Sequence, residues 1–101
     1  MRAGGDPVNV TVRIPGALRD LVGAPAAVPL DLPADATVGD ALAALDAALP
    51  AVGRRVRDET GALRPHVNVF VGADNIRDLA MLATRLEDDA VLNVLPALSG
   101  G

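Results

Sequence analysis

The sequence predicts a small α+β domain in which one main helix packs across a mixed sheet. Three observations predict it. Apolar residues alternate with polar ones in residues 8–14, 28–32 and 66–71, and become nearly continuous in 91–95. One stretch, beginning at Thr37, repeats its apolar residues at clear helical spacing. An amphipathic helix must bury its stripe, and the strands offer the surface for it. A chain of 101 residues suits one compact domain.

Residues 1–7 are small and polar, and are expected to be a disordered N-terminal segment ahead of a domain spanning 8–96. Val8, Val10, Val12 and Ile14 share one face of a half-buried strand, which Pro15-Gly16 ends. Residues 17–22 form a short helical turn with Leu18, Leu21 and Val22 turned inward. Val28, Leu30 and Leu32 alternate in a second strand, stopped by Pro33. The two strands suggest a hairpin, although the link is longer than a tight turn. Thr37-Val38-Gly39-Asp40 fits a capping box, with the shorter acid in the reaching position. Val38, Ala41, Leu42, Leu45 and Leu49 follow at helical spacing, and Pro50 sets the stop near Leu49.

Residues 51–65 read as a loop with a helical turn. They hold Arg54, Arg55, Arg57 and Arg64, a basic patch expected to be merely solvated. In the third strand Val67, Val69 and Val71 share one face, and His66, Asn68 and Phe70 take the other. A turn at 72–75 leads to a short edge strand at 75–77. Residues 78–84 are irregular, with Leu79 and Leu82 as anchors, and Glu87-Asp88-Asp89 is an acidic turn. Residues 91–95 are apolar on both faces, the pattern of a central strand covered on both sides or flanked by partners. Pro96 has no N–H to donate and ends the pairing.

Composition excludes several kinds of function. The net charge is −4, all nine basic residues are arginine, and Phe70 is the sole aromatic. Nucleic acid is therefore not an expected partner, since both a basic footprint and stacking platforms are missing. Without lysine there is no Schiff base, and without cysteine no disulfide, thiolate metal site or thiol nucleophile. His66 is the lone histidine and has no companion for zinc. Ser99 has no positioned general base, and no pair of carboxylates is spaced as a catalytic dyad. No metal site is expected. Residues 1–7 lack the apolar core of a signal peptide, and Asp46 and Pro50 interrupt the most apolar stretch, so neither export nor a membrane span is expected and the location expected is cytoplasmic.

One chemically unusual feature remains. After Pro96 the chain runs Ala97-Leu98-Ser99-Gly100-Gly101 and ends in a carboxylate. Two glycines make a thin, flexible tip that can enter a narrow tunnel in another protein. The bland alternative is a frayed terminus.

The combination of residues 64–71 (Arg-Pro-His-Val-Asn-Val-Phe-Val), 75–77 (Asn-Ile-Arg), 91–96 (Val-Leu-Asn-Val-Leu-Pro) and terminal Gly100-Gly101 resembles the ubiquitin-like sulfur carriers. These include the small subunit of molybdopterin synthase, the thiamin carrier and the carrier of a bacterial cysteine-biosynthesis route. Residues 9–12 with Ile14-Pro15 resemble the opening strand of the last. The resemblance implies a β-grasp fold and a protein that is a co-substrate rather than an enzyme. It implies that a ubiquitin-activating-enzyme-like adenylyltransferase spends ATP on the Gly101 carboxylate, and that a sulfur donor then leaves a thiocarboxylate for an acceptor synthase. The carrier itself binds no cofactor. Gly101 is then the reacting position. Gly100, Ser99, Leu98, Ala97, Pro96 and Phe70 are candidate partner contacts, and Leu95, Pro96 and Leu98 form an apolar approach. The resemblance implies an acceptor in cysteine, thiamin or thiosugar-type synthesis; the alternatives are a molybdopterin synthase subunit or a protein modifier. Some positions depart from the family pattern. Gly72-Ala73 stands where Asn-Gly is common, Asp88-Asp89 where Asp-Gly-Asp is common, and Leu98 is bulkier than usual. Aspartate tolerates left-handed backbone better than most residues, so the fold is expected to survive the second change.

Overall fold

The computed structural model describes residues 6–96. The chain forms β1 (Val8–Arg13), α1 (Gly16–Val22), β2 (Ala27–Leu32), α2 (Val38–Ala48), α3 (Pro50–Val56), β3 (Val67–Val71), β4 (Asp74–Asn75) and β5 (Ala90–Pro96). Two 3₁₀ turns, Ile76–Asp78 and Met81–Ala83, lie between β4 and β5. The strands make one mixed sheet in the order β2-β1-β5-β3-β4. β1 and β5 are parallel and the other pairs antiparallel, so the last strand lies between the first and the third. This is the expected α+β, β-grasp architecture.

Alternation decides which side of the sheet is buried. Val8, Val10 and Val12 of β1, Val67 and Val69 of β3, and Leu92 and Val94 of β5 face the helices and are buried. Val38, Ala41, Leu42 and Leu45 bring the stripe of α2 onto them. Each fully buried aliphatic side chain is worth roughly 1.5–3 kcal/mol, so this interlayer is the main source of stability. The capping box holds α2 at its start: the Thr37 hydroxyl accepts from the Asp40 N–H at 3.2 Å, and the Asp40 carboxylate accepts from the Thr37 N–H at 2.9 Å.

Four expectations need correction. Residues 50–56 are a seven-residue helix, more than the helical turn expected within a loop, because Pro50 both stops α2 and starts α3. Its missing N–H falls at the first helical position, where no intrahelical partner exists. A second helix therefore joins the main one over the sheet. Leu21 is 63% exposed instead of turned inward, since Leu18 and Val22, four residues apart, take the core side of the short α1. Leu79 is exposed as well; the anchor of its segment is Ile76, which is fully buried at the first 3₁₀ turn, with Leu82 packed against the core as expected. The short edge strand closes at Asn75, before that turn.

The departures at the turns are accommodated. Asp89 adopts φ 66° in the left-handed region, and its N–H donates to the Asn9 carbonyl at 2.8 Å. The Asn9 N–H in turn donates to the Asp88 carboxylate at 2.8 Å, so the acidic turn is clamped to β1. Among the described residues no helix is long and apolar enough to cross a membrane.

Candidate functional site

β5 positions the candidate site. It is hydrogen-bonded on both sides, to β1 and to β3, and leads directly to the C-terminal segment. Pro96 is its last residue, with its Cα opposite Val67 at the start of β3. Ala97, Leu98, Ser99, Gly100 and Gly101 lie outside the described residues.

β5 is central, as expected, but only one of its faces is covered. Leu92 and Val94 enter the core, whereas Val91 and Leu95 stand on the open face at 36% and 44% exposure. Asn68 pairs with Leu95, and Phe70 with Asn93, across β3 and β5. Phe70 and Leu95 are therefore diagonal neighbours on that face, within reach of each other's side chains. The structure thus brings two of the candidate contacts together in a partly exposed apolar patch at the root of the tail. Exposed apolar area on a sheet otherwise edged by Asn9, Arg13 and Asp31 suits a docking surface.

A polar clip fixes the strand opposite that root, and sequence reasoning missed its role. The Arg77 guanidinium donates through Nη2 to the carbonyls of Val67 at 2.8 Å, Arg64 at 3.1 Å and Pro65 at 3.4 Å. Its Nε and the Asn75 amide both reach the Asn68 side-chain oxygen at 3.3 Å. Asn75 also accepts from the Arg77 N–H at 3.0 Å, capping the 3₁₀ turn. One guanidinium nitrogen thus ties the carbonyls of Arg64 and Pro65, in the bend before β3, to that of Val67 at the start of the strand. The signal available in sequence was the Asn-Ile-Arg triplet itself.

The four arginines of 54–64 divide in their roles. Arg57 is largely buried and ion-paired with Asp46 of α2. Its Nε atom is buried without a hydrogen-bond partner. Arg64 donates through Nε to the Arg54 carbonyl at 2.8 Å, while the side chains of Arg54 and Arg55 are exposed. The neighbouring turn centres on Asp58, whose carboxylate accepts from the Thr60 hydroxyl, the Thr60 N–H and the Ala62 N–H. These bonds, the Thr60 hydroxyl foremost, hold the Asp58 carboxyl below its ordinary range. Among the described residues no group of three or more His, Cys, Asp or Glu side chains is placed to hold a metal.

The ThiS family model matches residues 12–101. The sulfur carrier protein CysO of Mycobacterium tuberculosis is 32% identical over 96 residues, covering 93% of this chain and 100% of that one. SAMP1 of Haloferax volcanii, a small archaeal modifier protein, superposes with a TM-score of 0.78 at 33% identity, over 92% of this chain and 99% of its own. In the Amycolatopsis orientalis BexX/CysO complex, a chain matches with a TM-score of 0.76 at 29% identity, over 91% of this chain and 99% of its own.

Proposed function

Because the chain belongs to the ThiS family, whose match extends through the terminal Gly100-Gly101, we propose that it is a sulfur carrier with Gly101 as its reacting residue. Members of this family of sulfur-carrier and ubiquitin-like proteins are small β-grasp domains. The match through Gly101 is the observation that carries the proposal.

The chemistry divides between carrier and partners. An activating enzyme binds ATP, and a Gly101 carboxylate oxygen attacks the α-phosphorus. Pyrophosphate leaves, giving an acyl adenylate. A sulfide equivalent then attacks the acyl carbon; the C–S bond forms, the bond to the AMP oxygen breaks, and a thiocarboxylate remains. That soft anionic sulfur is the nucleophile offered to an acceptor enzyme. The carrier supplies the thin tip and the docking surface, and holding sulfur covalently turns its delivery into a positioned event. Leu95 and Phe70 are the described candidate contacts; Pro96 and Leu98 extend the apolar approach. The A. orientalis BexX/CysO complex supports the reading that such a carrier docks on a partner protein.

The test is intact and tandem mass spectrometry after incubation with ATP, sulfide and candidate activating enzymes, with a Gly101-deleted control. The expected result is sulfur in place of one oxygen, localised to Gly101. The control is required because oxidation of Met1 or Met81 adds nearly the same mass. Failure to form adenylate or thiocarboxylate with any of several enzymes would overturn the proposal. The likeness to SAMP1 favours protein modification as a second reading, in which the same activated carboxyl forms isopeptide bonds on target lysines. Lacking lysine, this chain cannot carry lysine-linked chains of itself.

A further inference from the structure

A second surface meets the root of the tail from the helix side of the sheet. Arg54, Arg55, Arg64 and His66 alone line a cleft of about 280 Å³, and no carboxylate lines it. Arg54 and Arg55 make no ion pair among the described residues. Arg64 donates its Nε to the Arg54 carbonyl, and its charge also acts on Asp58. Arg54 and Arg64 border a separate groove that holds Asp46, Asp58 and Glu59, which leaves Arg55 as the arginine facing only the cleft and the trough. On a chain of net charge −4, a concave surface of this sign runs against the overall field. Arg55 and His66 also border an apolar trough of about 190 Å³, floored by Leu18, Val56, Val67 and Val94 and flanked by the exposed Leu21. Val67 is the residue opposite Pro96, so the trough, and through Arg55 and His66 the cleft beside it, adjoin the point where the chain leaves the sheet.

Resting on the carrier reading above, we propose that this composite surface docks an acidic segment of the activating partner. The partner's carboxylates meet Arg54, Arg55 and Arg64, and an adjoining apolar side chain enters the trough beside Leu21. Guanidinium groups bind carboxylates in pairs of parallel hydrogen bonds, which fixes orientation as well as approach. A cationic cleft steers an acidic partner during encounter, and the effect is local because salt screens it within about 10 Å at 0.1 M ionic strength. With the apolar patch of Leu95 and Phe70 on the opposite face, the partner would grip the tail root from both sides of the sheet.

The experiment compares adenylation of the full chain with that of Arg54→Glu/Arg55→Glu and Leu21→Asp variants, across a salt series. Arg85→Glu is the control, making a charge reversal beside Asp35. All replaced side chains are exposed, and circular dichroism checks that each variant folds. The double variant is expected to raise KM roughly tenfold or more at low salt, with kcat unchanged and the salt dependence flattened. Leu21→Asp should raise KM at every salt concentration, and Arg85→Glu should do little. Equal effects from Arg85→Glu and the double variant would reduce the result to net charge and overturn the inference. So would a double variant indistinguishable from wild type while wild type is adenylated. If deleting residues 97–101 shifts the amide resonances of Leu21, Arg55 and His66 without enzyme, the chain's own tail is the occupant and the inference is likewise overturned. Wild type that no enzyme adenylates overturns the carrier reading, and this inference with it.

Discussion

Gly53 sets the distance between the two helices that cover the sheet. It is buried in the middle of α3, facing α2, and a Cβ built on it would lie 2.8 Å from the Cα of Asp46. Real Cβ contacts do not come that close, and the obstacle is backbone, so a helix must move. Two terms oppose each other in Gly53→Ala. Removing glycine from a helix interior gains about 0.5–1 kcal/mol. Overpacking a filled interface costs about 1–3 kcal/mol, and a backbone clash belongs at the upper end. The net expectation is a loss of about 2 kcal/mol. For a domain of this size that is a fall in Tm of about 8–16 °C, readable by calorimetry or thermal denaturation. The Asp46 carboxylate, which also crowds the site and pairs with Arg57, is not the main cause. Most of the loss should therefore persist in an Asp46→Ala background. A Gly53→Ala protein as stable as wild type would refute the close helix contact; full rescue by Asp46→Ala would assign the clash to the side chain.

Two further outcomes follow from the polar contacts. Arg77→Ala removes the guanidinium that ties together the carbonyls of Arg64, Pro65 and Val67. It should cost about 1–2 kcal/mol, a discounted value for charged hydrogen bonds near solvent. Amide exchange should accelerate around residues 64–68, and unchanged exchange there would refute the clip. Asp58 has a folded-state pKa below its ordinary one, first through the Thr60 hydroxyl bond. Its contribution is thus present above the ordinary carboxylate range near pH 4 and is lost as pH falls through the lower folded value. A pH series of Tm should show that acid limb shallower in Asp58→Asn than in wild type; identical limbs would contradict the assignment.

The fold was legible wherever period and burial agree. The alternation of Val8, Val10 and Val12, the capping box at Thr37 and the stripe from Val38 to Leu45 are each local patterns with one physical reading. Leu21 and Leu79 were illegible because apolar character alone does not say which side of a short element meets the core. Residues 50–56 were hidden by Pro50, which signals an end more strongly than a beginning. The site was legible in part. Leu95 and Phe70 come from strands distant in sequence, and only the β3–β5 register makes them neighbours. The basic patch of Arg54, Arg55 and Arg64 was legible in sequence, but its closing with His66 into one cleft depends on α3 being a full helix, and that stretch read as a loop with a helical turn.

The topology gives the proposed reacting end a firm root. β5 is parallel to β1 and antiparallel to β3, so it cannot leave the sheet without breaking ladders on both sides. Its two core side chains, Leu92 and Val94, are fully buried, and edge fraying does not reach it. The root of the C-terminal segment is thus held by the central strand of the sheet, bonded on both sides, at the point where a proline ends pairing. The two surfaces that adjoin it differ in character: Leu95 and Phe70 are apolar on the open face, and the cleft of Arg54 and Arg55 is cationic on the helix side. A partner reading only one of them would recognise many proteins. A partner reading both, as proposed, meets a chemical combination tied to one chain end; specificity is a difference of affinities, and a protein lacking either surface forfeits its share of the binding.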